Sequence, residues 1–181
     1  MTLYHLIQGE LDCAAIAEMQ PKVPANTVDG EDKSLPRICM AKSLTECLTG
    51  IGVNIVGLKA LRDQLVNSKP SLNTLAFPFV VCTFEVEETD DKLLVPQQIR
   101  QYVPDAHITG EHWYTAAIQP IKVEQMWLID GSVYSERVTI NNEQVRYAMF
   151  HGSKWSRTPQ AAAKNFRNWI LDITKQWLER S

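Results

Sequence analysis

The sequence predicts an α+β fold with mixed or antiparallel sheets, a few helices and a long C-terminal amphipathic helix. Three observations carry this. Strand-like runs and helix-like runs fall in separate blocks rather than in strict strand–helix alternation. The chain has 181 residues, 45% hydrophobic and 22% charged, which suits one globular domain (1–181) with a real core. The last twenty-odd residues carry an apolar stripe at helical spacing.

TLYHLI (2–7) reads as a short buried strand. PKVPANTVDGEDKSLP follows, rich in turn formers and carrying Asp29, Glu31 and Asp32, and reads as a loop. RICMA (37–41) reads as a second strand. Ser43 then opens a helix and Glu46, three residues on, completes a capping box; Gly50 and Gly52 close it after about two turns. Ile55, Leu58, Leu61 and Leu65 predict another helix.

LAFPFVVCTFEV (75–86) is a central or near-central strand, with Pro78 near its start or at an edge position. EETDD is a charged, solvated turn. Pro96 opens one or two helical turns. Residues 113–118 and 121–129 are strands parted by Pro120. DGS (130–132) and NNE (141–143) mark turns, the second between hairpin strands 133–140 and 145–150. Finally, Thr158 caps and Pro159 begins a helix running to about residue 179, with Phe166, Ile170, Ile173 and Trp177 on one stripe.

MTLYHLIQGELD lacks the basic segment and apolar run of a signal peptide, and no stretch has the ~20 apolar residues of a membrane helix. The expectation is a cytoplasmic protein without a membrane partner. Cys13, Cys39, Cys47 and Cys82 form no C-x-x-C pair, so they read as reduced, apolar groups and no metal is expected.

The net charge of −3 hides a split. Residues 1–150, the acidic body, hold 12 Lys and Arg against 19 Asp and Glu, a balance of −7. Residues 151–181, read as a basic linker and the last helix, hold 6 against 2, a balance of +4. An acidic body opposes nucleic-acid binding, which is left open only for the basic C-terminal segment.

The chemistry-bearing residues are few. His5 interrupts an apolar strand, and a neutral imidazole there can accept and donate hydrogen bonds, hold a ribose hydroxyl or act as a base; a satisfied, partly buried histidine is the plain alternative. Glu111 follows Gly110 and precedes an apolar strand, which would aim its carboxylate from a rigid element; a solvated strand entrance is the alternative. His107 and His112 flank it, but H-x-x-x-E-H matches no zincin pattern. With His5 these three would make an acid–base set for phosphodiester cleavage. Arg37 is placed to clamp a phosphate, or to form a surface salt bridge. Ser43 caps its helix, whose N-terminal amides and neighbouring Lys42 suit an anion. HGSKWSR (151–157) mixes cations with an aromatic ring, or is a linker.

LYHLI, PRICMAKSLTECLTGIG and TGEHWYTAAIQPIKVEQM, taken together, resemble the pattern of small proteins with an ADP-ribosyltransferase-like fold. The resemblance covers residues 2–125. It implies that His5 supports the nicotinamide-side ribose and that Glu111 organises that ribose for transfer, as catalytic residues. It further implies that NAD is bound in a cleft between two sheets over the helix beginning at Ser43, with His5, Arg37 and Ser43 as its contacts. Ser43 stands where the family has a middle-strand tyrosine. The second segment also resembles uncharacterised proteins of phages and bacterial mobile elements. The partner implied is a host protein or ribonucleoprotein. A rival reading is a non-enzymatic inhibitor of anti-CRISPR type. It would occupy a Cas9-like nuclease through acidic surfaces: Asp29, Glu31, Asp32 and the run 85–91. Trp169 and Trp177 would supply an interface if the chain self-associates.

Overall fold

The computed structural model describes residues 1–24, 31–51, 77–140 and 142–161. It is α+β, built from two antiparallel sheets and a few short helices. In the large sheet, β1 (Thr2–Gln8) lies at one edge beside β3 (Phe77–Glu85). β6 (Lys122–Ile140) follows, and β7 (Glu143–Ser156) closes the order β1-β3-β6-β7. The small sheet has the order β2-β5-β4, from β2 (Ile38–Met40), β5 (His112–Tyr114) and β4 (Leu93–Leu94). The helices are α1 (Leu44–Ile51), α2 (Pro96–Ile99) and α3 (Ala106–Thr109).

Period-two alternation explains the layering. In β1 and β3 the register sets Leu3 against Phe84, His5 against Cys82 and Ile7 against Val80, so these six share one face. That face packs on Ile38, Met40, Leu93 and Tyr114 of the small sheet. The alternate residues Leu6, Phe79 and Val81 face the other way and pack on Cys47 and Leu48 of α1. β3 is apolar on both faces because it is covered on both, as its unbroken apolar run predicts. A backbone bridge ties the sheets together: Tyr4 and Ala41 exchange hydrogen bonds of 2.8 and 2.9 Å. It brings β1 beside the end of β2.

Local sequence accounts for most of the element ends. Glu46 N–H donates to Ser43 Oγ at 3.2 Å, the cap predicted from sequence, while the Glu46 carboxylate accepts from the Ser43 hydroxyl at 3.1 Å. Pro96 begins α2. Pro78 lies just past the end of β1, where its missing N–H costs nothing and its carbonyl accepts from Gly9 N–H at 2.9 Å. Asn142, at φ 65°, turns the β6–β7 hairpin.

Five expectations are corrected or fall outside the described residues. DGS (130–132) is no turn: β6 runs through it, with register irregularities between Leu128 and Asp130 and between Gly131 and Ser132. Turn-prone residues, Gly above all, also serve bulges inside long strands. The strand expected over 113–118 is only His112–Tyr114, and Ile118 bridges Met19 instead. HGSKWSR is mostly the end of β7 rather than a linker, and Trp155 meets Phe79 edge-on at 5.5 Å. Residues 159–161 are helical, with Ala161 N–H on Thr158 Oγ1 at 3.2 Å; residues 162–181, over which the long helix with Trp169 and Trp177 is expected, lie outside the described residues, as does the helix expected over 55–66. Among the described residues no helix is long and apolar enough to cross a membrane.

Candidate functional site

Glu111 is positioned by the short helix before it. Gly110, in the left-handed region at φ 65°, ends α3, and Glu111 N–H closes back on the Ala106 carbonyl at 3.2 Å. Glu111 and Trp113 are two residues apart in an extended run, so both side chains leave on one side. Trp113 is fully buried, and its Nε1–H donates to Glu111 Oε1 at 2.7 Å. Burial is the main influence on the Glu111 carboxyl and raises its pKa above the ordinary value. Hydrogen bonds from the Cys39 thiol and the Trp113 indole pull the other way.

His5 projects from β1 toward β2, and its Nδ1 lies 2.7 Å from the Cys39 carbonyl oxygen. A carbonyl can only accept, so Nδ1 carries the proton. Burial lowers the ring pKa, with the Cys39 contact opposing it. The neutral ring therefore keeps a lone pair on Nε2, which has no hydrogen-bond partner among the described residues.

These two groups from distant parts of the chain line one cavity of about 480 Å³. Cys39 and Met40 of β2, Glu46, Thr49 and Gly50 of α1, and Asp105, Thr109 and Glu111 around α3 complete much of its wall. The cavity lies where the β1–β2 bridge, the α1 flank and the α3–β5 junction meet.

Arg37 is placed differently from expectation. It is neither a phosphate clamp facing the cavity nor a surface ion pair. Its side chain is fully buried, ion-paired to Glu31, and donates through one terminal nitrogen to the Asp32 and Leu35 carbonyls at 3.1 Å each. Its guanidinium stacks over Trp113 at 3.9 Å, with Tyr102 stacked on the same indole at 5.8 Å. Ser43 spends its hydroxyl on Glu46, accepting from its N–H and donating to its carboxylate, and is not among the described lining residues.

The histidines around Glu111 do not gather with it. His107 is exposed; His112 is buried, with Nδ1 2.8 Å from the Gly110 carbonyl, and neither lines the cavity. The four-group phosphodiester set is thus reduced to His5 and Glu111. Among the described residues no three His, Cys, Asp or Glu side chains converge to hold a metal ion.

Cys39 and Glu46 were not singled out as site residues from sequence. Period two puts Cys39 on the same side of β2 as Arg37, opposite the core residues Ile38 and Met40, and the register sets it against Trp113. That pattern was available to find it. Burial pushes its thiol pKa far up, with Glu111 adding to the effect. The Cys47 thiol is pushed up to about 12, mainly by burial. Both are therefore protonated, weak nucleophiles. Glu46 was legible as a cap, but its carboxylate also rests against Gly110 across the cavity wall: a Cβ on Gly110 would lie 2.7 Å from Glu46 Oε1.

Comparison with protein-family models, with curated proteins and with solved structures finds no match to this chain. The ADP-ribosyltransferase resemblance therefore rests on His5, Glu111 and the segments that carry it.

Proposed function

We propose that the cavity is a site for ribosyl transfer of the ADP-ribosyltransferase type, in a small phage or mobile-element protein acting on a host macromolecule. The observation that carries this reading is that His5 and Glu111, 106 positions apart in sequence, line the same cavity. His5 Nε2 accepts a hydrogen bond from a ribose hydroxyl. The Glu111 carboxyl faces positive charge that develops on the sugar as the C1′–N bond breaks and its electron pair passes to nicotinamide. The acceptor's lone pair then forms the new bond to C1′, and Glu111 takes the acceptor's proton. NAD is the substrate. Its ribosyl end suits the neutral acceptors and hydroxyls of the wall. Its diphosphate finds no Lys or Arg among the described lining residues and must stay outside.

The test is NAD titration followed by thermal unfolding, with nicotinamide release measured alongside. Stabilisation of the native protein and slow release are expected. Glu111→Gln is expected to abolish release while leaving the circular dichroism unchanged. Full activity in that variant, or neither stabilisation nor release in the native chain, would reject the reading.

A second reading is the non-enzymatic inhibitor of an RNA-guided nuclease. What favours it is the exposed acidic stretch at and after the end of β3: Glu85, Glu87, Glu88 and Asp91 face solvent. Glu31 and Asp32 are less suited to it, because Glu31 pairs with Arg37 and Asp32 accepts from Ser34 and Leu35 N–H groups at 2.8 and 2.7 Å. Asp29 lies outside the described residues. Reversing Glu87 and Glu88 to lysine should abolish capture of the nuclease, while His5→Ala should leave it intact. The opposite pattern would sink this alternative.

A further inference from the structure

The two candidate catalytic groups meet on one residue of β2. The Cys39 carbonyl accepts from His5 Nδ1–H at 2.7 Å, and the Cys39 thiol is hydrogen-bonded to the Glu111 carboxyl. Backbone and side chain of one residue thus touch both groups, and Cys39 itself lines the cavity. Its place is set by strand pairing. β2 meets β5 so that Cys39 stands opposite Trp113, whose indole N–H holds Glu111 Oε1 at 2.7 Å.

A separate observation concerns the cation beside the thiol. The Arg37 side chain is fully buried, and its Nε is the one buried side-chain nitrogen or oxygen among the described residues with no hydrogen-bond partner. The Cys39 thiol neighbours that guanidinium as well as the Glu111 carboxyl. A thiol is a weak acceptor and a weak donor, so it leaves Nε unsatisfied, yet it can take only one orientation between a cation and a carboxyl. Its lone pairs turn to Arg37 and its hydrogen to Glu111. Burial pushes the thiol pKa far up, so that hydrogen is there to donate. The other groups facing the carboxyl are Glu31, whose charge opposes its ionisation, Arg37, whose charge favours it, and the protonated Cys47 thiol.

Electrostatic stabilisation of a sugar cation needs Glu111 as a carboxylate, and a ribose hydroxyl needs a bare His5 Nε2. We propose that Cys39 is the positioning residue of the site: its thiol orients Glu111 and holds it as a carboxylate, and its carbonyl keeps the His5 proton on Nδ1. The proposal rests on the ribosyl reading of the cavity and names the residue that sets its two catalytic groups.

Cys39→Ala and Cys39→Ser test this on the full chain, because they remove nearly the same volume and differ in the donor. Nicotinamide release from NAD is followed against pH. Cys39→Ala is expected to lower kcat about tenfold, the loss of one hydrogen bond to a charged group, with KM for NAD changed less than about twofold. The acid limb of its profile should move to higher pH, since a carboxyl deprived of a donor holds its proton longer. Cys39→Ser should restore both. Carboxyl-carbon NMR, assigned with Glu111→Gln, reads the Glu111 midpoint in each variant without substrate. Imidazole-nitrogen NMR should find the His5 proton on Nδ1. If circular dichroism shows Cys39→Ala unfolded, Cys39→Val, which fills the space without a donor, takes its place. An unmoved Glu111 midpoint, a serine variant no better than the alanine one, or a His5 proton on Nε2 would overturn the proposal. A moved midpoint in a chain that releases no nicotinamide keeps Cys39 as the residue that holds Glu111 and removes the ribosyl reading. Release with an unmoved midpoint does the reverse.

Discussion

Trp113 and Glu111 are joined by a 2.7 Å hydrogen bond from indole Nε1 to carboxyl Oε1, and the same indole carries Arg37 on its face at 3.9 Å. One buried ring thus touches both the candidate acid, at its edge, and the buried cation, on its face. Trp113→Phe keeps a face for Arg37 and removes the indole donor. It is expected to cost about 1–3 kcal/mol of stability, because a buried carboxyl loses its indole donor. Urea unfolding measures this. An unchanged midpoint would mean that Glu111 is held by something else.

Gly110 is required for two separable reasons. Its φ of 65° strains any residue with a Cβ, and that Cβ would lie 2.7 Å from Glu46 Oε1. Gly110→Ala is expected to destabilise by about 1–3 kcal/mol, of which about 1 kcal/mol is backbone strain. Combining it with Glu46→Ala should recover the steric part but not the strain, giving a coupling of at least about 0.5 kcal/mol in a double-mutant cycle. Strict additivity would show that the carboxylate swings aside freely.

The Arg37–Glu31 pair is buried, with side-chain exposures of 0% and 12%. Breaking it from one side leaves a charge without its partner. Glu31→Gln is expected to cost about 3 kcal/mol, and Arg37→Met in the Glu31→Gln background to restore much of that, since a buried pair is worth little against a well-packed apolar replacement. Chemical denaturation of the three variants decides it. A double variant weaker than both singles would contradict the expectation.

Stability should depend on pH through Glu111 and His5 with opposite signs. Burial holds the Glu111 carboxyl above its ordinary 4.5, so above that pH the folded state keeps protons that the unfolded chain has lost. Stability therefore falls as pH rises from 4.5 through the folded value, and stays lower beyond it. Burial holds His5 below 6.5, so the folded state binds fewer protons there, and stability falls as pH drops from 6.5 through the folded value. Glu111→Gln removes the first dependence. The variant should be more stable than the parent at neutral pH, with an advantage that shrinks on acidification and vanishes below 4.5. An advantage that grows on acidification would show that the carboxyl titrates low.

Much of the local architecture was legible before any coordinates. β1 and β3 announced themselves by apolar content, and Ser43 with Glu46 announced the start of α1, because caps and strand patterns depend on neighbours a few residues apart. Asp130–Ser132 misled for the same reason: Gly131 offers the conformational freedom that turns and bulges both use, and only pairing with β7 distinguishes them. Arg37 misled because a strand arginine looks alike whether its partner is solvent, a phosphate or Glu31.

Composition and short-range pattern dictated that this chain would be α+β, where its first helix would start, and that His5 and Glu111 merited attention. Their meeting was settled elsewhere. It depends on the antiparallel register that points His5 toward β2, the Tyr4–Ala41 bridge, and the left-handed Gly110 that releases Glu111 from α3. Those are contacts between residues tens of positions apart. Their free energy belongs to packing and pairing across the whole molecule, which no local window of residues contains.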